Sequence, residues 1–249
     1  MSFSRLAVKW INSFVSLVVA IVLLILGSYS AYSLWDNQQV YEEARDVQLK
    51  MKELKPEVVS EDEPPSFADL RAVNPDVRGW VTLDGTQIDY PVLQGENNLT
   101  YINTDVYGNF ALAGSIYMDC RNSADFSDVY NLLFGHHMEN SRMFGDLDLY
   151  KDEAFFRKNV TGTLLTEGAV YDLRIAALLL VPASEEGVFD ITRYETAEDV
   201  ISFVRENAVF LNDFMPEPGG EGQFLVFTTC SSEFTDARTV LVTTMIRHR

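Results

Sequence analysis

At 249 residues the chain has room for one domain of ordinary size with appendages, and 47% apolar residues are enough for a real core. A formal net charge of -18 excludes nucleic-acid binding through a basic face, which needs clustered Lys and Arg. The same charge suits a soluble, self-repelling domain and says nothing finer about substrate.

The first element is hydrophobic. No residue from Trp10 to Trp35 is charged, and Phe14 to Leu26 is almost wholly apolar. Such a run is long enough to cross a bilayer as a helix, which takes roughly 20 residues. Arg5 and Lys9 flank its start, and Asp36 is the first charge beyond it. The positive-inside rule puts residues 1–9 in the cytoplasm, residues 10–35 across the membrane, and the remainder outside. Trp10, Tyr32 and Trp35 suit the interfacial belts. A cleaved signal peptide is the competing reading, because Ser28-Tyr29-Ser30 precedes Ala31 with small residues at plausible cleavage positions.

Residues 36–65 read as a juxtamembrane stalk and linker. Asn37 to Leu54 is polar and rich in helix formers, whereas Lys55 to Pro65 is acidic and ends in Pro64-Pro65. A short helix is predicted over Ser66 to Val73, with Ser66 as its N-cap. From Gly79 the pattern turns to short extended runs. Trp80–Leu83 and Gln87–Val92 flank Asp84-Gly85, a hairpin signal. Further strands are predicted at Ser115–Met118, Val129–Phe134, Thr161–Leu165, Ala169–Val181, Gln223–Thr229 and Thr239–Ile246. Helical insertions are predicted around Met143–Lys158 and Thr196–Leu211, the latter with apolar residues at helical spacing. Eight strands with two insertions imply a closed or nearly closed β-barrel.

Chemistry concentrates at Cys230, which ends one apolar run, and Arg238, which opens the next. A thiol becomes a strong nucleophile as the thiolate, and a nearby cation favours that form. Gly135-His136-His137 follows another apolar run and offers an acid/base partner. Adjacent residues on an extended segment point opposite ways, so only one of the two imidazoles faces a common partner. A zinc site is weakly supported, since no Cys-x-x-Cys or His-Glu-x-x-His spacing occurs. A disulfide between Cys120 and Cys230, natural outside the cell, would make Cys230 structural instead. Ser231 and Ser232 read as turn residues, and Glu233 and Asp236 as loop charges or as partners of Arg238.

Val226-Phe227-Thr228-Thr229-Cys230 resembles the nucleophile strand of sortases, whose pattern is Thr-Leu-x-Thr-Cys. The Cys, the Thr before it and the downstream Arg match, while Val226 and Phe227 depart from the first two positions. Gly79-Trp80, Asp89-Tyr90-Pro91-Val92, Gly114-Ser115-Ile116-Tyr117-Met118-Asp119, Gly135-His136-His137-Met138 and Met143-Phe144-Gly145 are similar to class B sortases in particular. The similarity runs from about residue 66 to the C-terminus.

The resemblance implies an all-β-dominated, eight-stranded sortase-like barrel over residues 66–249, with N-terminal helices and a helix inserted before the last two strands. It implies Cys230 as nucleophile, His136 as acid/base and Arg238 as substrate and oxyanion anchor. Asn98, Ile102, Thr228 and Thr229 would bind substrate, and no cofactor or metal is called for. The implied partners are secreted proteins carrying a C-terminal Pro-x-Thr-Gly/Asn-like sorting signal, and peptidoglycan or its precursor as the amine acceptor. Because sortases use a free thiol, the resemblance also argues against a Cys120–Cys230 disulfide. Two other readings remain: a cell-wall cysteine hydrolase, with water in place of the amine, and a catalytically silent membrane-tethered binding module.

Overall fold

A computed structural model describes residues 3–58, 65–230 and 236–248, without the side chains of residues 3–6 and of Cys230. The chain divides into two units, residues 1–43 and 44–249.

Helix α1 (Phe3–Lys52) runs through the apolar stretch and on through the polar, helix-forming residues that follow it. No proline interrupts it, and its polar half is built from Gln, Glu, Ala and Lys, all good helix formers. Within the first unit its apolar side chains, among them Trp10, Phe14, Leu24 and Ile25, are exposed. From Ala7 the helix is long and apolar enough to cross a membrane.

The second unit is built on a barrel. Helix α2 (Ala68–Val73) precedes β1 (Val77–Leu83), β2 (Asp89–Leu93), β3 (Tyr117–Met118) and β4 (Tyr130–Phe134). A small hairpin, β5 (His137–Met138) with β6 (Arg142–Met143), leads to a 3-10 helix (Gly145–Lys151) and α3 (Glu153–Lys158). Then come β7 (Thr161–Thr166), β8 (Val170–Pro182), α4 (Glu186–Phe189), a single 3-10 turn (Ile191–Arg193), α5 (Ala197–Asn207), β9 (Phe210–Leu211), β10 (Gln223–Cys230) and β11 (Ala237–Arg247). The strands run in the order β11-β10-β4-β3-β2-β1-β7-β8, and β8 pairs back onto β11. That pairing closes an eight-stranded barrel. β9 adds to β8 at Ala177 and Leu178, beyond the stretch of β8 that pairs with β7.

The apolar runs lack polar alternation because both faces of the strands are covered. Leu225 and Phe227 of β10, with Leu241, Leu178 and Leu133, fill the interior. Their neighbours Phe224 and Val226, with Val240, Val242, Leu132 and Leu179, point outward beneath Val188 of α4 and Val200, Ile201 and Val204 of α5. α5 is anchored by a capping box in which Thr196 accepts from the Asp199 N–H and Asp199 accepts from that of Thr196. A third cluster joins Met51, Phe67, Leu70, Trp80 and Leu93, so the end of α1 packs on the barrel.

Several element ends differ from expectation, each for a local reason. Ser66 is not the N-cap of α2. Phe67 holds that position with its side chain buried in the third cluster. β2 begins at Asp89 because Thr86 folds back, its hydroxyl donating to the Leu83 carbonyl and accepting from the Ile88 N–H. Gly85, at φ +77, occupies the tight turn between β1 and β2. The insertion expected over Met143–Lys158 splits at Asp152, whose carboxylate accepts from the Phe155 N–H and caps α3. The second insertion ends at Asn207, since Ala208 is extended and Phe210–Leu211 joins the sheet. Lys55 and Pro56 pack on the barrel, so the compact unit begins ahead of the boundary drawn at residue 66. Most of the expected acidic linker, residues 59–64, lies outside the described residues.

Asp89 makes that early packing possible. Its carboxylate lies 2.7 Å from Lys55 Nζ and 3.2 Å from Lys52 Nζ. It also accepts from Trp80 Nε1 at 2.6 Å and from the Thr82 hydroxyl at 3.0 Å. Burial pushes the acid's pKa up, but the bonds from Lys55 and Trp80 and the two lysine charges outweigh it, leaving it below the ordinary 3.8. A group depressed on folding stabilises above its unfolded pKa and loses that contribution as pH falls through the folded value. Asp89→Ala is therefore expected to cost about 2 kcal/mol at neutral pH by urea denaturation. The gap from the unsubstituted protein should narrow as the pH is taken below about 4.

Candidate active site

β4 and β10 are parallel neighbours, with Phe134 opposite Thr228. The Gly135 N–H donates to the Thr228 carbonyl at 3.2 Å, carrying that register one residue past the end of β4. A Cβ on Gly135 would lie 2.5 Å from Ile116 Cδ1 and 2.6 Å from Phe144 Cδ2, so only glycine fits there. The chain then presents His136 and His137 in opposite directions. His136 lines a cleft at this end of the barrel. His137 Nε2 lies 2.9 Å from Asp148 Oδ2, away from it.

His136 Nε2 lies 2.7 Å from the Ile102 carbonyl oxygen. A carbonyl only accepts, so Nε2 carries a proton in this contact and proton transfer falls to Nδ1. Ile102 is itself held by close packing. Gly114, at φ +59, has room for no Cβ, which would lie 2.4 Å from the Ile102 oxygen. The next residue, Ser115, donates its N–H to the Tyr101 carbonyl.

On the other side, β10 and β11 are antiparallel and Cys230 is the Cα partner of Arg238. Thr228 occupies the same position in the strand alternation as Val226, on the outer face of the sheet. Ile102, His136, Thr228, Thr229, Phe189 and Arg238 line one cleft of about 290 Å³. Its aromatic wall is a row in which Phe134 stacks on Tyr117 at 5.3 Å and on Phe189 at 6.4 Å. The Thr228 and Thr229 hydroxyls are buried and find no hydrogen-bond partner among the described residues. Arg238 donates to the Ala237 carbonyl at 2.9 Å and forms no ion pair among the described residues. A guanidinium free of a carboxylate can serve a carbonyl oxygen that is gaining charge. Asp236, exposed at φ +59, turns the chain into β11. Ser231, Ser232 and Glu233 lie outside the described residues.

Comparison with known proteins decides the family. No protein-family model matches the chain. A solved class B sortase of Streptococcus pyogenes, described as involved in pilus biogenesis, is 32% identical. The match covers 72% of this chain and 97% of that one, with a TM-score of 0.65. The chain belongs to the class B sortases. Sortase B of Clostridium perfringens is 30% identical over 73% of this chain and 100% of its own, with a TM-score of 0.66. The curated sortase B of Listeria monocytogenes is 28% identical over 238 residues, or 90% of this chain and 92% of the relative. Sortases are cysteine transpeptidases, and this protein is one.

Within this sortase the residues singled out in the sequence divide into two groups. His136, Arg238, Ile102, Thr228 and Thr229 meet in the cleft, with the backbone of Cys230 at its edge. Asn98 is not part of the lining. Its Nδ2 donates to Asp119 Oδ2 at 2.8 Å, and its Oδ1 accepts from the Cys120 N–H at 2.8 Å. Cys120 is a free, half-buried thiol, so the alternative of a Cys120–Cys230 disulfide falls away. Phe189 and Arg121 went unnoticed in the sequence. Phe189 lies between the strand predicted to end at Val181 and the helix predicted from Thr196, and nothing around it in the sequence signals a cleft wall.

The Ile102 carbonyl sets the tautomer of His136, and Gly114 gives that carbonyl its place. Gly114→Ala should displace the oxygen and release the ring. In nitrogen NMR of labelled histidine, the His136 Nε2–H signal is expected to give way to a mixture of both tautomers, with the fold retained by circular dichroism.

Proposed function

We propose that Cys230 is the nucleophile, His136 the acid/base and Arg238 the oxyanion anchor of this transpeptidase. The observation that carries the proposal is the convergence of three strand ends, β4, β10 and β11, on one cleft lined by His136 and Arg238. The Cys230 thiolate attacks the carbonyl carbon of Thr in a Pro-x-Thr-Gly/Asn-like sorting signal. The Arg238 guanidinium then hydrogen-bonds the oxyanion. The C–N bond breaks as His136 delivers a proton to the departing amine, leaving a thioester on Cys230. An incoming amine attacks that thioester, gives its proton to His136 and expels the thiolate, so enzyme and protons are restored. Two moderate barriers replace one large one.

The Thr228 hydroxyl, buried without a partner among the described residues, suits a hydrogen bond to a peptide laid along the cleft, and Ile102 suits an apolar side chain. The amine acceptor in this reading is peptidoglycan or its precursor. α1 anchors the enzyme in the cell membrane with its N-terminus in the cytoplasm, because Arg5 and Lys9 flank the apolar run on that side.

The full chain in detergent, incubated with a library of sorting-signal peptides, should gain the mass of the acyl fragment. Cys230→Ala should show no adduct, and His136→Ala and Arg238→Ala should slow acylation by about 100-fold or more. Cleavage by Cys230→Ala at the rate of the unsubstituted protein would overturn the assignment. In intact cells a membrane-impermeant thiol reagent is expected to label the protein, at the half-buried Cys120 if nowhere else. Labelling only after lysis would place the barrel on the cytoplasmic side.

A further inference from the structure

We infer that Arg121 is a positioning residue for the sorting-signal substrate: it latches the Phe189 wall of the cleft to the barrel through the buried carboxylate of Asp119. The inference rests on the proposed reading of this cleft as the substrate site. The Asp119 side chain is fully buried (0% exposed). A carboxylate removed from water persists only if its lone pairs are filled. Asp119 receives the Arg121 N–H at 3.0 Å and Asn98 Nδ2 at 2.8 Å. Two parallel bonds from Arg121 complete the set, Nε to Oδ1 at 2.9 Å and Nη2 to Oδ2 at 2.8 Å. The Asp119 N–H donates in turn to the Leu132 carbonyl of β4, so this node is part of the barrel.

The same guanidinium reaches outward. Nη2 also donates to the Phe189 carbonyl at 2.7 Å, and Nη1 lies 3.7 Å from Asp190 Oδ1. Phe189 ends α4, a helix of only four residues, and its ring stacks on Phe134 in the cleft. Arg121 itself is not part of the lining, so it acts on substrate only through the wall it holds. Only a planar fork can bind a carboxylate with two donors and still reach a third acceptor; a lysine ammonium lacks that geometry. Asn98 belongs to the same latch. It ties the loop that carries Ile102 to Asp119, so both walls of the cleft hang on one buried anion.

The expected signature is a change in substrate affinity without a change in the reactive centre. Arg121→Met and Arg121→Lys, each in the full chain in detergent, should raise KM about tenfold for the peptide that acylates the unsubstituted protein. kcat should fall less than threefold. The rate at which iodoacetamide alkylates Cys230, and its pH profile, should stay unchanged, because His136 follows β4 and Arg238 sits on β11, and neither belongs to α4. Phe189→Ala should raise KM to a similar degree, and adding Arg121→Met to it should raise KM no further. If Arg121→Met does not fold, Arg121→Lys carries the same comparisons.

Unchanged KM, additive effects of the two substitutions, or a shifted alkylation profile would overturn the latch. Failure of the unsubstituted protein to acylate with any peptide would instead overturn the proposed function, and so the two failures are distinct.

Discussion

The parallel register of β10 against β4 is the constraint on which the site depends. Thr228 lies opposite Phe134, so residues separated by 94 positions end at the same height on the sheet. Parallel neighbours cannot be joined by a tight turn, and here the crossover holds most of the remaining fold. A slip of one residue between these two strands would carry the end of β10 out of line with Gly135 and His136, which follow β4. The register is held by burial on both faces. Phe227 and Leu133 fill the barrel, while Val226 and Leu132 are sealed beneath α4 and α5. Core and site are therefore one problem, and the apolar run before Cys230 fixes where β10 stops.

A second organising feature is the use of buried acids in a chain with a net charge of -18. Asp89 collects Lys52 and Lys55 and so ties the end of α1 to the β1–β2 hairpin. Asp119 collects Arg121 and Asn98 and so ties β3 to the two walls of the cleft. In both cases burial alone would favour the neutral acid, and hydrogen-bonded cations reverse the preference. Among the described residues the cleft lining, in contrast, contains Arg238 and an imidazole but no carboxylate.

Much of the architecture was legible in the sequence because its signals are local. Strands announce themselves as short apolar runs bounded by turn residues, and the transmembrane candidate as an uncharged stretch. The helix predicted from Thr196 was legible in its apolar spacing, and a capping box between side chains three residues apart, Thr196 and Asp199, starts it in the structure. The errors fall where a local signal competes with packing. Ser66 has the chemistry of a cap, yet the burial of Phe67 decides where α2 begins. Phe210 and Leu211 continue a helical spacing, yet open positions on β8 draw them into the sheet. Lys55 reads as part of a solvated linker until Asp89 is placed beside it.

For the site, the sequence by itself pointed to the family and to the candidate groups. The Thr-Thr-Cys strand, the Gly-His pair and the downstream Arg are recognisable because each is a short contiguous pattern on one element. Tertiary structure alone decided that Ile102 meets His136 through its carbonyl and that Asn98 serves Asp119. It alone brought Arg121 to Phe189, 68 residues away. These are contacts between elements remote in sequence, made by backbone oxygens and buried carboxylates whose partners are chosen only once the barrel has closed. A one-dimensional pattern records which groups can bond; the register and burial of the folded strands select which of them do.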